Sequence, residues 1–471
     1  MKRLKIRGKE IKKIGYNNDQ IISLVSKLVS SNFNRSEKIY AIEVLKNILK
    51  NPGDYLNDPT FKLLAEKLMP AKIKKTKTAK KPYKNTEIEH LKIFGKEYID
   101  LQTIEQMKTA MRLPISVKGA LMPDAHVGYG IPIGGVLATY NAIIPYAVGM
   151  DIGCRMCMSI YNMQPEFINN NRKKIYEILI ENTRFGKAEF NDIKEHEILE
   201  REEFKTIKFL KQIKDKAHSQ LGTSGGGNHF VDFGYVNFNA SNNETGISKG
   251  KYLAVLSHSG SRGFGAEIAR HYVRIAKEKR KLGKGSINLA WFELSEEEGI
   301  EYWKAMNLAG DFAAANHHII HQKISSSLGI KPINIIENHH NFAWKENIST
   351  TEELIIHRKG ATPANKGKLA IIPGSMATPG FIVSGKGNKD SLNSAAHGAG
   401  RMLSRKAAKM KYNKNELVKN LKNKGIDLIG GDADESPEAY KDIHKIMKSQ
   451  SELVDIIATF NPKIVRMEGN V

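Results

Sequence analysis

The chain has 471 residues, 41% of them hydrophobic and 8% aromatic, so it is long enough for more than one domain and a sizeable buried core. No apolar run approaches the roughly 20 residues that cross a bilayer, and two cysteines exclude a disulfide framework. The formal net charge of +23 suits a polyanionic partner such as RNA or DNA, or else reflects solubility in a Lys-rich proteome.

The opening "MKRLKIRGKE" is basic, but no continuous apolar stretch with a small-residue cleavage site follows it. No secretory signal is expected, and a reducing cytoplasm is the expected location. Residues 1–69 read as a small helical domain: "QIISLVSKLV", "IYAIEVLKNIL" and "TFKLLAEKLM" place apolar residues at helical spacing. Residues 1–86 hold 21 Lys/Arg against 7 Asp/Glu, a surplus of 14, which predicts RNA affinity or a solubility or docking module. Residues 70–86 read as a Lys-rich linker without periodicity.

From residue 87 glycine becomes frequent. Short apolar runs such as "GGVLATY", "YLAVLSHSG", "LAIIPGSM" and "FIVSG" read as strands ending in Gly/Ser/Thr-rich loops. Helices are expected near 165–183, 190–218, 265–281, 296–323, 398–411 and 437–461. Strands and helices do not alternate regularly, so residues 87–471 are expected to form an α+β body rather than a doubly wound parallel sheet.

Metal-capable residues recur on the strand-end loops: Asp151 and Cys154 in "DIGC", His229 in "GGGNHF", His258 in "LSHSGSRG", His340 in "NHHNFAW" and His397 in "SAAHGAGR". Asp and Cys three apart on a turn can aim a carboxylate and a thiolate at one point. Cys154 with Cys157 also spells a redox CxxC, but that needs a strand-to-helix context, and "CRMCMSIYN" continues as an apolar strand. Side chains alternate along a strand, so Cys157 should point away from Cys154 as an ordinary core thiol. Metal, redox and core readings of Cys154 all stay open at this level. Cysteine with histidine suits zinc, whereas a carboxylate in an open, water-bearing site also admits manganese. His317 and His321 stand at i,i+4 on an expected helix, a metal-pair spacing. No acidic residue lies between them, so they read as helix-surface or packing histidines.

Two stretches suit phosphate. "LGTSGGGNH" can form a backbone anion nest. "AAHGAGRMLSRKAAK" reads as a small-residue loop entering a helix near Gly400, with His397 at its mouth and Arg401 and Arg405 one turn apart. A neutral imidazole beside a phosphoryl chain can act as the nucleophile that takes a nucleotidyl group, or can merely hydrogen-bond phosphate. Arg262 in "SGSRG" is a further phosphate clamp candidate.

The ordered set "MPDAHVGYGIPIGGV", "GMDIGC", "GGGNHF", "SHSGSRG", "HHNFAW", "HRKGAT", "IPGSM", "SAAHGAGRMLSR" and "DESPEAYKDI" resembles the RtcB-type tRNA-splicing RNA ligases, from about residue 87 to the C-terminus. Residues 1–86 lie outside the resemblance. It implies an α+β body of the family's own type. It also implies a GTP- and manganese-dependent enzyme joining an RNA 3′-phosphate, or a 2′,3′-cyclic phosphate, to a 5′-hydroxyl in RNA repair or tRNA splicing. A histidine is guanylylated, passes GMP to the RNA 3′ end as RNA-3′-pp-5′-G, and the 5′-hydroxyl displaces GMP.

By the resemblance, that histidine is His397. Two Mn²⁺ fall to Asp151, Cys154, His229, His258 and His340, and manganese replaces zinc as the expected metal. Nucleotide contacts fall on Asn228, Asn341, Pro373, Gly374, Ser375, Met376, Gly398, Ala399 and Gly400. Asp124 falls near the 5′-hydroxyl end, and Arg262 and Arg405 on RNA phosphates. An archease-like accessory protein is a further partner the resemblance admits. Three base-side positions depart from the usual pattern: Glu468 replaces a lysine, Gly380 a serine and Asp232 a glutamate. Glu468 is expected to accept from guanine. The competing classes are an RNA-end-binding protein without ligation and a metal-dependent phosphoester hydrolase.

Overall fold

The computed structural model describes residues 3–55, 58, 60–68, 90–190, 195–242, 244–348 and 353–469. It divides the chain into two compact units, Met1–Pro82 and Tyr83–Val471. The expected linker at 70–86 lies outside the described residues.

In the first unit, helices span Gly8–Ile14, Asp19–Asn32, Lys38–Lys50 and Lys62–Leu68. Asn18 caps the second, its Oδ1 accepting from the N–H groups of Gln20 and Ile21 at 2.9 and 3.2 Å. Ile22, Val25 and Val29 repeat at helical spacing and pack with Ala41, Leu45 and Ile48. Buried Tyr16 donates its O–H to the Leu45 carbonyl at 2.8 Å, which satisfies the one polar atom it carries into that core.

The second unit is a mixed α+β body built on two large sheets, as the irregular order of elements predicts. The five-stranded sheet runs Leu91–Ile93, Ser116–His126, Ile133–Thr139, Glu353–Lys359, Asn341–Asn347. The eight-stranded sheet runs Leu369–Ile372, Gly380–Gly385, Val454–Met467, Phe230–Phe238, Gly250–Ser259, Arg155–Tyr161, Asn334–His339, with Asp427–Ile429 added beside Val454–Met467. This second sheet curls until its edges meet. Asn338 on one edge accepts from the Ile371 N–H at 2.8 Å and donates to its carbonyl at 3.3 Å. Met156, Met158, Ile160, Leu256, Ile336, Ile371, Ile382 and Phe460 fill the inside of the curl. The helix Glu297–Leu328 covers the outside, where Ile320 and Ile324 pack on Tyr161 and Val255. No helix among the described residues is long and apolar enough to cross a membrane.

Several expected helices are corrected. Residues 398–404 form a loop, and the helix is only Arg405–Lys411, started by Ser404, whose Oγ accepts from the Ala407 N–H. Gly400 takes φ +76°, which breaks helical continuity there. The stretch 437–461 holds a 3₁₀ turn at Pro437–Ala439 and an α-helix only at Ile443–Lys448, and then enters the strand Val454–Met467. The apolar spacing of "LVDIIATF" fits either period, and pairing with Phe230–Phe238 and Gly380–Gly385 decides for strand. The single helix expected over 190–218 is a set of short pieces, Glu197–Glu200, Glu203–Thr206, Lys208–Gln212 and Lys214–Gln220.

Candidate active site

The site lies at one end of the curled sheet, where the five-stranded sheet reaches it. Asn334–His339 belongs to one sheet and Asn341–Asn347 to the other, so His340 stands at the crossing. Cys154 precedes the strand Arg155–Tyr161 at the tight turn of "DIGC". Gly153 takes φ +72° there, and a Cβ on it would lie 2.8 Å from the Gly310 backbone. His258 comes from the end of Gly250–Ser259, and His229 from the glycine loop just before Phe230–Phe238.

Two groups of ligand atoms form, each within 4.8 Å: Cys154, His258 and His340, and Asp151, Cys154 and His229. Cys154 belongs to both. Its Sγ is 3.1 Å from His258 Nε2 and 3.5 Å from His229 Nε2. His258 Nδ1 donates to the Asn228 carbonyl at 3.0 Å, which leaves its Nε2 as a lone pair facing His340 Nε2 at 3.3 Å. His340 Nδ1 is buried without a partner. Burial pushes the His258 ring pKa down to about 3 and that of His340 well below its usual value, so both are neutral imidazoles at neutral pH. Burial, then the Asp151 carboxylate, holds the Cys154 thiol pKa well above its usual value. Burial also opposes ionisation of Asp151, but His229, the Cys154 contact and Arg262 outweigh it and hold the carboxyl low. Neutral imidazoles, a shared thiol and a carboxylate converging in buried space fit divalent cations, which would displace the thiol proton.

Beside these groups stands His397, its ring centroid 5.0 Å from that of His340. Its Nδ1–H donates to Asp124 Oδ2 at 2.7 Å, and its backbone N–H donates to the same oxygen at 3.1 Å. Asp124 is fully buried. This fixes the tautomer and leaves Nε2 with its lone pair, the orientation a nucleophilic imidazole needs. Gly400 makes the approach possible: a Cβ there would lie 2.2 Å from the Asp124 carbonyl oxygen. Arg358 anchors the same loop. Fully buried, it pairs with Glu346 and donates to Ser394 Oγ at 2.7 Å, three residues before His397.

A cavity of about 460 Å³ opens onto these atoms. Of the residues singled out from sequence, Asp151, Cys154, Asn228, Asp232, His258, His340, Asn341, Pro373–Met376, Gly380, His397, Gly398, Ala399, Gly400, Arg401 and Arg405 line it. Asn341 braces the turns around it, donating to the Asp151 carbonyl at 3.3 Å and accepting from the Gly360 N–H at 2.7 Å. Asp232 is buried with Oδ1 unpartnered, and burial pushes its carboxyl pKa well up.

Four stand outside the lining. Asp124, expected at the 5′-hydroxyl end, lies behind His397. His229 bonds Asp151 Oδ2 at 2.9 Å. Arg262, held at φ +61°, donates to His229 Nδ1 at 3.3 Å and to Thr223 Oγ1 at 3.3 Å. Glu468 turns away from the cavity, where its carboxylate accepts from the Gly227 N–H at 3.0 Å. The anion nest expected in "LGTSGGGNH" thus takes the chain's own carboxylate.

Arg405 pairs with Asp434 at 2.7 Å and with Glu435. Arg401 is outside the helix, yet reaches the same Glu435 at 3.2 Å. Lys359 and His126 also line the cavity, and the sequence reading gives them no role. Lys359 Nζ donates to the carbonyls of Tyr129 and Tyr146, and burial pushes its pKa down to about 7. Both residues lie in stretches that carry the family resemblance, which was the available signal.

Known proteins resemble this chain over most of its length. A family model described as tRNA-splicing ligase RtcB matches residues 106–468. The RNA-splicing ligase RtcB of Escherichia coli K12 is 30% identical over 405 residues, covering 79% of this chain and 95% of that protein. The tRNA-splicing ligase RtcB of Nanoarchaeum equitans is 30% identical over 438 residues, covering 77% and 91%. That of Methanococcus maripaludis is 31% identical over 421 residues, covering 74% and 88%. The two ligand groups, His397 and Asp124 all lie within the matched span, and on the match of the family model and of these relatives the chain belongs to the RtcB family.

Proposed function

We propose that this chain is an RNA ligase that joins an RNA 3′-phosphate, or a 2′,3′-cyclic phosphate opened to it, to a 5′-hydroxyl, using GTP and manganese. The observation that carries the reading is His397, its Nδ1 fixed by buried Asp124 and its ring beside the thiol–imidazole groups in one cavity. Asp151, Cys154 and His229 would hold one divalent ion and Cys154, His258 and His340 the other. Bound there, the ions supply charge neutralisation of the triphosphate. The open cavity and the Asp151 carboxylate favour manganese over zinc.

His397 Nε2 attacks the α-phosphorus of GTP, the P–N bond forms, and pyrophosphate leaves. Asp124 stabilises the imidazolium that develops and keeps the ring in place, as a buried carboxylate does for a catalytic histidine. The RNA 3′-phosphate then takes GMP from His397, and the 5′-hydroxyl displaces GMP to seal the strand. Activation matters because a phosphate monoester dianion is a poor electrophile and GMP a good leaving group. The Pro373–Met376 turn, Asn228, Asn341 and the Gly398–Gly400 loop bind the nucleotide. Asp232 takes the base: guanine offers N1–H and N2–H₂ to a buried carboxyl whose Oδ1 has no partner. Glu468 holds the glycine loop that carries Asn228 and His229. Arg262 and Arg405 meet RNA phosphates, Arg405 by exchanging its carboxylate partners. The basic unit at residues 1–82 adds sequence-independent RNA affinity.

The test is incubation with α-labelled GTP and Mn²⁺, followed by a sealing assay on a defined RNA pair. Wild type should carry covalent label and yield joined RNA, and His397→Ala should do neither. Absence of label from wild type defeats the mechanism. Release of phosphate or nucleotide without joined RNA assigns the site to a hydrolase, and end-binding alone to an RNA-end-binding protein.

A further inference from the structure

The cavity with His397 uses one side of the strand Arg155–Tyr161, the side of Cys154 and Met156. The other side carries Arg155, Cys157 and Ser159. Cys157 lies directly across from Ser257 on one neighbouring strand and from Glu337 on the other. The helix Glu297–Leu328 lays His317 and His321, one turn apart, against this face. The three residues are buried, and each offers a ligand atom within 4.8 Å of the other two. Tyr161, Val255, Ile320 and Ile324 pack in the same layer.

The far nitrogen of each ring is already held. His317 Nε2 lies 3.2 Å from the Ser259 carbonyl oxygen, which can only accept, so this nitrogen bears the proton and Nδ1 is a lone pair. His321 Nδ1 lies 2.7 Å from Ser159 Oγ. The remaining nitrogens, His317 Nδ1 and His321 Nε2, converge on Ser257 Oγ at 2.6 and 2.7 Å. One nitrogen anchored by a carbonyl or hydroxyl and the other presented inward is how metal-ligating imidazoles are oriented. Burial keeps both rings neutral, with the His321 pKa down to about 3 and that of His317 well below its usual value. The Glu337 carboxylate adds negative charge on this face, shared with Arg155 at 3.8 Å and His318 at 3.2 Å. A cavity of about 610 Å³ reaches Cys157, Ser159 and His321 from the side of Ser325, Ile330 and Ile335, and gives an entry path and room for a further ligand.

We propose that Cys157, His317 and His321 form a second metal site, of zinc type, on the face of the sheet opposite the catalytic cavity, with water from the 610 Å³ cavity as fourth ligand. One thiolate and two imidazoles with no carboxylate among them suit a tetrahedral zinc ion and serve manganese poorly. Binding exchanges the S–H proton for the S–Zn bond and releases that proton to solvent. The same atoms have one alternative arrangement, a metal-free hydrogen-bond chain from Ser159 through His321, Ser257 and His317 to the Ser259 carbonyl. The experiment separates the two. The inference does not depend on the ligase reading.

The chain has only two cysteines, so Cys154→Ser leaves Cys157 as its sole thiol. Metal-stripped, full-length Cys154→Ser protein is titrated with Co²⁺ and then Zn²⁺. The expected result is one equivalent of a near-ultraviolet thiolate-to-cobalt band, displaced by Zn²⁺ and lost in the added Cys157→Ser variant. Adding His321→Gln should weaken binding by more than the about 10- to 100-fold that losing an outer partner costs. A folded protein without the band, or with a band indifferent to His321→Gln, overturns the proposal. Should Cys154→Ser not fold, zinc is counted per chain in wild type and Cys157→Ser after dialysis against Zn²⁺ with Mn²⁺ present. One ion fewer in the variant supports the site, and equal content overturns it.

Discussion

The two faces of the strand Arg155–Tyr161 carry the same chemistry to different ends. On the inner face Cys154 meets His258, His340, His229 and a carboxylate beside a cavity that also holds His397. On the outer face Cys157 meets His317 and His321, with Ser159, Ser257 and Ser259 around them. What separates the two faces is therefore not the presence of thiol and imidazole. A cavity opens onto each, and the difference is the oriented ring of His397 with Asp124 behind it.

The largest expected effect breaks the inner face. Cys154→Ala removes the ligand shared by both groups and should lower sealing by at least about 10³-fold, since losing several kcal/mol of charge stabilisation costs tenfold per 1.36 kcal/mol. Cys157→Ser on the outer face should keep sealing within about threefold, because its side chain is turned away from the cavity. Parallel single-turnover assays make the comparison, and equal losses would mean that the faces are not functionally separate.

Lys359 sharpens the comparison through pH. Its pKa is pushed down to about 7 in the folded protein by burial and returns to the ordinary lysine value on unfolding. Between those values the unfolded chain binds more protons than the folded one, so this residue's contribution to stability rises with pH and is flat below about 7. The melting temperature of wild type relative to Lys359→Met should therefore climb from pH 7 to pH 10. A difference that is constant with pH would mean that the lysine is not desolvated. The smallest expected effect lies in the N-terminal unit. Deleting residues 1–86, with its surplus of 14 positive charges, should weaken RNA binding and flatten its dependence on salt without abolishing sealing of short substrates at low salt. An unchanged slope would assign that unit another role.

Much of this was legible in the residues. The loops carrying Asp151, Cys154, His229, His258, His340 and His397 announce themselves by glycine and serine beside a ligand-type side chain, and the alternation of a strand already sends Cys157 the other way. What misled was period and context. "LVDIIATF" supports helix or strand equally, and the helix expected at Gly400 fails because that glycine must sit against Asp124 in a left-handed conformation. His317 and His321 look like packing or surface residues on a helix until the sheet brings Cys157, Ser159 and Ser257 to them.

The sequence by itself determined the reaction-capable residue types, the basic N-terminal unit and the α+β class, because those depend on side-chain chemistry and local periodicity. Only the tertiary structure decided that Asp124 orients His397, that Glu468 serves the glycine loop rather than the cavity, and that a second thiol–imidazole group exists at all. Each of these is a contact between residues far apart in the chain. Such contacts are set by how a curled sheet and one long helix pack, which no local pattern encodes.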